Sequence, residues 1–254
     1  MKIGPVSFCT GETLAPNALA VAVEERGLRS LFLTDHAHIP VSRATGCPDV
    51  YGDGELPEFC KRTYDLFVGL SFVAAATSKL EVGTGICLGG QRAPIVTAKE
   101  VASRDPLLGG RLAAFGVGFG WHRNELEAHG TDFRSRREIA RDRIELMRAL
   151  CRDEAASLEA EHTSLKPSWA WPKPSSEPRV YLGGGGPTTM RHAAEWADVW
   201  YPVIREDDPT VEKDFRKFRS VVDEVGRDFK DDRDRSLVSS GRSQGPRGSS
   251  GAGR

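Results

Sequence analysis

The sequence predicts an α/β fold in which parallel strands alternate with helices. Its 254 residues fit one large domain, and α/β barrels often have about this size. Short apolar runs alternate with longer amphipathic runs along most of the chain. One short run, "LRSLFLTD", has consecutive apolar residues, as expected for a strand covered on both faces. These observations indicate βαβ units in either an open doubly wound sheet or an incomplete eight-stranded barrel.

The strands are assigned from short apolar runs that end in glycine or polar residues. The first precedes an amphipathic run, and each later one follows such a run, which is the order that βαβ units require. In chain order the predicted strands are "KIGPVSF", "LRSLFLTD", "KLEVGTGICLG", "GRLAAFGVGFG", "RVYLGG" and "DVWYP".

The helices are assigned from longer runs with apolar residues on one face. In the first helix, Asn17 lies near the predicted start and Gly27 at the end. Pro94 stands in the first turn of the third, where its missing N–H costs nothing. The predicted helices are "LAPNALAVAVEERG", "YDLFVGLSFVAAATS", "APIVTAKEVASRD", "WHRNELEAHG", "SRREIARDRIELMRALCRD", "PTTMRHAAEWA" and "DPTVEKDFRKFRSVVDEVG".

Two polar segments fit neither pattern. Residues 36–63 are rich in proline, glycine and aspartate, and residues 155–178 read as an irregular excursion. Long connections inside a compact domain are commonly functional, as lids or substrate loops. We therefore expect both segments to shape a substrate pocket.

Composition limits the classes of partner and the compartment. The 35 Lys and Arg residues nearly cancel the 36 Asp and Glu residues, which gives no reason to expect nucleic acid or an acidic membrane as partner. The five cysteines form no C-x-x-C pair, so reduced cytosolic thiols explain them. The first residues contain no long apolar run, so we expect neither a signal peptide nor a membrane span. The expected location is the cytoplasm.

Two glycine-rich stretches follow predicted strands. "GVGFGW" (116–121) lets a ligand approach the backbone, but a tight turn would explain it equally well. "LGGGGPTT" (182–189) places four glycines before a helix start, where backbone N–H groups and the helix dipole favour a phosphate. No lysine of the Walker type accompanies it, so nucleotide hydrolysis is not expected.

The stretch "LFLTDHAHIP" places Asp35, His36 and His38 directly after the second predicted strand. The H-x-H spacing occurs in metal hydrolases, but a metal would need further ligands, and the remaining histidines fall in predicted helices or irregular segments. A loop without chemical function is a second interpretation. We favour a third, an acid–base or cofactor-contacting role, because catalytic groups gather at the C-terminal ends of barrel strands. His36 is the candidate for proton transfer, His38 is read as a loop residue, and no metal site is predicted.

Four stretches in this order together resemble the bacterial luciferase-like monooxygenase superfamily, and most closely its deazaflavin (F420)-dependent oxidoreductase branch. The resemblance implies a (β/α)8 TIM-type barrel that is usually dimeric and binds FMN or coenzyme F420 at its C-terminal face. In this chain we expect the barrel to be incomplete at the C-terminus, where the sequence departs from the family. The stretches are "LFLTDHAHIP", "LEVGTGICL" with "RAPIVTAKEVASRDPLLGGR", "FGVGFGWHRNELEAHGTDF", and "YLGGGGPTTMRHAAEWADVWYP".

The same resemblance assigns roles to particular residues. It places Asp35 and His36 beside the redox ring as catalytic residues, and it maps a strand bulge, often with a non-prolyl cis peptide, onto Gly85 and Ile86 under the ring. Further cofactor contacts are implied along the ring and its side chain and at the phosphate. The contacts with the ring and its side chain are Gly118, Gly120 and Asn124. The contacts with the phosphate are Gly184, Gly185, Gly186 and Thr188.

The expected function is F420-dependent hydride transfer to or from a small organic substrate, in which the cofactor supplies the redox chemistry and the protein supplies position and electrostatics. One alternative is an FMN-dependent monooxygenase that uses O2 and reduced flavin from a partner reductase. Another is a non-catalytic or degenerate barrel. Trp121 stands where some alcohol-oxidising relatives carry an acidic residue, so the sequence does not indicate a two-residue acid–base pair.

The end of the chain departs from the resemblance. The barrel domain is predicted for residues 1–230, and residues 231–254 are dominated by serine, glycine and arginine, as in disordered segments. Relatives continue instead with a strand, a glycine-containing loop and a closing helix. We hypothesise that the tail is a frame-shifted reading of that segment. Sequencing the locus tests this, and a shifted frame without a strand–helix pattern would contradict it.

Overall fold

The computed structural model describes residues 4–42, 56–204 and 209–227. Six of its strands form one parallel sheet in the order β1-β2-β3-β4-β7-β8, and β5 and β6 form a separate antiparallel hairpin. The six sheet strands lie within the six predicted runs. The strands are β1 Val6–Ser7, β2 Ser30–Leu33, β3 Glu81–Leu88, β4 Leu112–Gly118, β5 Ala156–Glu159, β6 Ser164–Ser168, β7 Val180–Gly183 and β8 Val199–Tyr201.

Six of the seven described helices lie within the predicted helical runs, and α3, Pro94–Leu107, extends two residues beyond its run. A short 3-10 helix, Glu58–Lys61, is also present. Pro94 and Pro187 stand in the first turns of their helices, as their lack of an N–H allows. Asp65 caps the second helix by accepting the N–H groups of Phe67 and Val68. The helices are α1 Pro16–Glu25, α2 Leu66–Ala76, α3 Pro94–Leu107, α4 Arg123–Ala128, α5 Arg136–Arg152, α6 Pro187–Trp196 and α7 Val211–Val225.

The segment 155–178 was predicted to be irregular, and this was wrong for part of it. Strands β5 and β6 pair there as an antiparallel hairpin. Their sequences, "ASLE" and "SLKPS", are short and largely exposed, with few apolar residues to reveal an alternation. Local pattern therefore carried too little signal to identify them.

The strands bury both faces. The main core lies between the sheet and the helices and includes Leu31, Leu33 and Leu182. On the opposite face Phe32, Ala114 and Tyr181 form a smaller cluster. Two-sided burial explains why the sheet strands read as continuous apolar runs.

The order of strands along the sheet repeats their order along the chain, as in an α/β barrel. Within the described residues β1 and β8 are the outer strands and the barrel is not closed. The predicted tail at 231–254, its frame-shift hypothesis and the domain boundary at residue 230 lie outside the described residues. No helix in the described part of the chain is long and apolar enough to span a membrane.

Candidate active site

The predicted bulge lies in β3. The Gly85–Ile86 peptide bond is cis, and the register against β4 shifts between Thr84 and Cys87. The local conformation expected from the resemblance is therefore present. The Ile86 side chain lies against Gly118, where an added Cβ would come within 2.1 Å of its Cδ1. Gly118 thus makes room for the Ile86 side chain.

His36 lies three residues after the end of β2 and reaches across to helix α4. Its Nδ1 is 3.0 Å from Oε1 and 3.3 Å from Oε2 of Glu125. Both side chains are almost fully buried, with exposed fractions of 6% and 1%. A carboxylate only accepts hydrogen bonds, so this contact favours a proton on Nδ1 and leaves Nε2 of a neutral ring as an acceptor. The pair is a buried histidine–carboxylate dyad.

Local structure explains how Glu125 reaches this position. It is the third residue of α4, and its N–H donates to Nδ1 of His122, which caps the helix. Trp121 precedes the cap and places its ring 6.3 Å from that of His36, edge on. Gly120 has φ +78°, and this left-handed conformation turns the chain from β4 into α4. The predicted ligand Asn124 is half-buried in the first turn of α4.

Both carboxylate oxygens of Asp35 accept hydrogen bonds from other parts of the fold. Arg92 donates to both of its carboxylate oxygens, from Nε at 2.9 Å and from Nη2 at 2.8 Å. The N–H of Leu88 donates to Oδ2 at 3.1 Å. Although burial acts the other way, the hydrogen bond to Asp35 raises the pKa of Arg92. Asp35 therefore sits next to His36 in sequence but is bound to the end of β3.

Arg92 also contacts helix α2. Its Nη2 donates to Oδ2 of Asp65 at 2.8 Å, and its guanidinium lies over the ring of Phe67. Partial burial would raise the pKa of Asp65, but the Val68 N–H and the Arg92 guanidinium together lower it. One arginine thus joins the ends of β2 and β3 to the start of α2.

The "GGGGP" loop leads from β7 into α6. Gly184 donates its N–H to the carbonyl of Tyr201 at 3.2 Å, so that donor belongs to the sheet. Gly185, Gly186 and Thr188 are exposed at the helix start, and an added Cβ at either glycine would meet nothing within 4 Å. This open helix start fits a phosphate group. The contact would come from the later residues of the loop rather than from the N–H of Gly184.

His38 lies apart from this dyad. Its ring is 5.2 Å from that of His129, which follows α4. Burial, together with the charge of His38, lowers the pKa of His129. In the described part of the chain, His, Cys, Asp and Glu side chains form no group of three that could hold a metal ion.

Two residues of this site were missed by sequence reasoning. Glu125 was overlooked because only the position after the glycines was considered for an acidic partner. Its signal was an acidic residue in the first turns of a predicted helix, but the contact with His36 spans 89 residues. No sequence pattern indicated that Arg92 belongs to the site, since its only notable feature was its position shortly before Pro94.

A family model described as luciferase-like monooxygenase matches residues 15–237. The "Uncharacterized protein Rv0953c" of Mycobacterium tuberculosis (strain H37Rv) is 35% identical over 231 residues, covering 90% of this chain and 80% of the relative. An F420-dependent glucose-6-phosphate dehydrogenase of Kineococcus radiotolerans is 30% identical over 195 residues. That match covers 74% of this chain and 53% of the dehydrogenase, so the chain spans about half the length of that enzyme.

Solved structures show the same fold. An F420-dependent secondary alcohol dehydrogenase in complex with an F420–acetone adduct superposes with a TM-score of 0.70 at 22% identity, covering 89% of this chain and 65% of that one. A type II Baeyer–Villiger monooxygenase from Pseudomonas putida, in complex with FMN, gives 0.67 at 15% identity, with 89% and 63% covered. The chain has the α/β barrel fold of these proteins, and it belongs to the luciferase-like monooxygenase family.

Proposed function

We propose that this chain is an F420-dependent oxidoreductase that transfers hydride to or from a small organic substrate. The observation that carries the proposal is the buried His36–Glu125 dyad. The family comprises oxidoreductases and monooxygenases, and one relative at 30% identity is named as F420-dependent. Coenzyme F420 would accept or donate the hydride, and the residues of the chain would handle the proton.

His36 is the proton carrier in this proposal. Glu125 holds the Nδ1 proton, which leaves Nε2 to take a proton from a substrate hydroxyl or to return one in the reverse direction. Burial of the dyad excludes water from this exchange. Asp35 was predicted to be catalytic as well. We now propose a supporting role, because Arg92 and Leu88 occupy its carboxylate.

In this proposal the flat ring of the cofactor and its phosphate-bearing tail would lie against two separate groups of residues. Gly85, Ile86 and Gly118 would support the ring from β3 and β4, while Gly120 and Asn124 would border it at the turn into α4. The start of α6 would hold the phosphate through Gly185, Gly186 and Thr188, with Gly184 shaping the loop.

The alternative is an FMN-dependent monooxygenase fed with reduced flavin by a partner reductase. It draws on the structural neighbour described in complex with FMN. Titrating the purified protein with F420 and with FMN, each oxidised and reduced, separates the two. The proposal expects saturable F420 binding and F420 reduction by a member of a panel of secondary alcohols and sugar phosphates. Binding of FMN alone, with O2 consumption, would favour the alternative, and binding of neither would favour a non-catalytic barrel.

Two histidine variants test the proton carrier. His36→Gln should lower kcat by about 10²-fold or more while F420 affinity stays within about threefold, because general acid–base catalysis contributes that much. His38→Gln is the matched control from the same loop, and it should keep the kcat of the wild type. If His36→Gln turned over at the rate of the wild type, the proposed role of His36 would be wrong.

We also propose that the chain works as a homodimer through helices α2 and α3. Helix α2 has no charged residue, yet Val68 and Phe72 are 56% and 57% exposed. Ile95 and Val96 at the start of the neighbouring α3 are exposed to a similar degree. A helix that is apolar all round is normally covered, and large exposed apolar patches mark interfaces.

Sedimentation velocity tests the dimer. Phe72→Glu should convert dimers to monomers, whereas Leu107→Glu, at the far end of α3, should remain dimeric. A wild-type protein that is monomeric at micromolar concentration would refute this interface.

We propose a cytoplasmic location, because four described cysteines are buried and unbridged, as expected in a reducing compartment.

A further inference from the structure

The end of β2 is held by a branched ion-pair network that the proposed chemistry does not use. Arg92 is its centre, with two donor contacts to Asp35 and one to Asp65. The side chain of Asp35 is 2% exposed and that of Asp65 is 46% exposed. The two branches therefore differ, since one is buried against the β2 end and the other is open to solvent.

The buried branch fixes the backbone on the N-terminal side of His36. Asp35 precedes His36 directly, and its two carboxylate oxygens accept two bonds from Arg92 and one from the Leu88 N–H. On the other side, the Thr63 hydroxyl donates to the His36 carbonyl at 3.2 Å. The imidazole leaves this anchored segment to meet Glu125 on another element.

We propose that Arg92 is a positioning residue for the His36–Glu125 dyad and acts through Asp35. This inference rests on the proposed function, because it assigns Arg92 to the geometry of the proposed proton carrier. The planar guanidinium forms two parallel bonds to one carboxylate, which fixes both distance and orientation. Lysine keeps the charge but offers no such fork, so Arg92→Lys isolates the geometric effect.

The exposed branch supplies the matched control. Asp65→Asn removes the ion pair to Arg92, but asparagine still caps α2 and the Arg92–Asp35 fork stays in place. Asp35→Asn disrupts the same pair of hydrogen bonds by changing the acceptor instead of the donor, and it leaves Arg92 paired with Asp65. This second variant avoids a buried charge without a partner, so it remains informative even if Arg92→Lys does not fold.

The readout is the tautomer of His36 in the purified protein without cofactor, measured by long-range ¹H–¹⁵N correlation NMR. The spectrum of His36→Gln assigns the signal among the six histidines. The wild type should hold the Nδ1–H tautomer, opposite to the one that histidine favours in water. Arg92→Lys and Asp35→Asn should each lower its population by roughly twofold or more, while Asp65→Asn should match the wild type.

A purely structural role predicts a different result. In that case Arg92→Lys and Asp35→Asn would lower the melting temperature but leave the His36 tautomer as in the wild type, and the proposal would be overturned. An Asp65→Asn variant that shifts the tautomer as much as Arg92→Lys would also overturn it, because the effect would not run through Asp35. Failure of F420 turnover would instead count against the proposed function alone, since these spectra need no cofactor.

Discussion

Gly118 is the position where adding a single methyl group tests the interior of the barrel most sharply. A Cβ built on it would lie 2.1 Å from Cδ1 of Ile86 and 3.3 Å from Cγ1. Carbon atoms in contact are normally about 3.5–4.0 Å apart, so the first overlap is roughly 1.5 Å. Ile86 has little room to withdraw, because a Cβ at Gly183 would already meet it at 2.9 Å.

We therefore expect Gly118→Ala to destabilise the fold by about 1–3 kcal/mol, the usual cost of overpacking a core. Ile86→Val removes the clashing Cδ1 and should itself cost about 0.5–1.5 kcal/mol for the lost methylene. In the double variant the alanine should add less than about 0.5 kcal/mol, so the two changes should be coupled by roughly 0.5 kcal/mol or more.

Urea unfolding of the four proteins, without cofactor, measures this coupling. Gly185→Ala serves as a control in the open loop, where an added Cβ meets nothing within 4 Å, and it should change stability by no more than about 0.5 kcal/mol. Equal destabilisation by Gly118→Ala in the wild-type and Ile86→Val backgrounds would refute the packing explanation. A Gly118→Ala protein as stable as the wild type would do the same.

Three further predictions concern other parts of the barrel. Arg111→Met should cost about 2–4 kcal/mol in urea unfolding, because its guanidinium donates to the carbonyls of α2 and of the following turn. Gly186→Ala should weaken phosphate binding, measured by calorimetry with inorganic phosphate, and cost about 1 kcal/mol, since φ there is +85°. Burial lowers the pKa of His129 and of His192, so the unfolded chain binds more protons and stability should fall as pH drops below about 6.5, levelling off below the lowered values. Replacing both histidines by glutamine should flatten that part of the stability–pH curve, and an unchanged slope would contradict this assignment.

Local sequence pattern was sufficient to locate the strands of the sheet, because each buried strand forms an apolar run that can be identified by itself. "LRSLFLTD" contains β2, and the four residues of that strand are all buried. The resemblance added the bulge at Gly85 and Ile86, which periodicity does not reveal. Neither local pattern nor the resemblance predicted the β5–β6 hairpin, because its strands are largely exposed and lie outside the stretches that carry the resemblance.

The site was predicted less completely than the fold because its contacts join distant parts of the chain. His36 was identified from its place after a strand, but its partner Glu125 lies 89 residues away. Asp35 was assigned to chemistry because the resemblance places it beside the redox ring. Its actual partner, Arg92, lies 57 residues along the chain and has no pattern of its own. Sequence reasoning located the strand ends but not the pairings between them.

Asp35 and His36 are neighbours in sequence just beyond β2, but they contact different elements of the fold. Successive side chains point to opposite sides, so neighbours at a strand end cannot both face the same cleft. Asp35 turns toward β3 and Arg92, which leaves His36 to turn toward α4 and Glu125. Alternation alone would place His38 on the side of His36, yet its ring lies beside His129, so the chain has left the extended conformation by then. Asp35 thus anchors the end of β2, and His36 is left for the proposed chemistry.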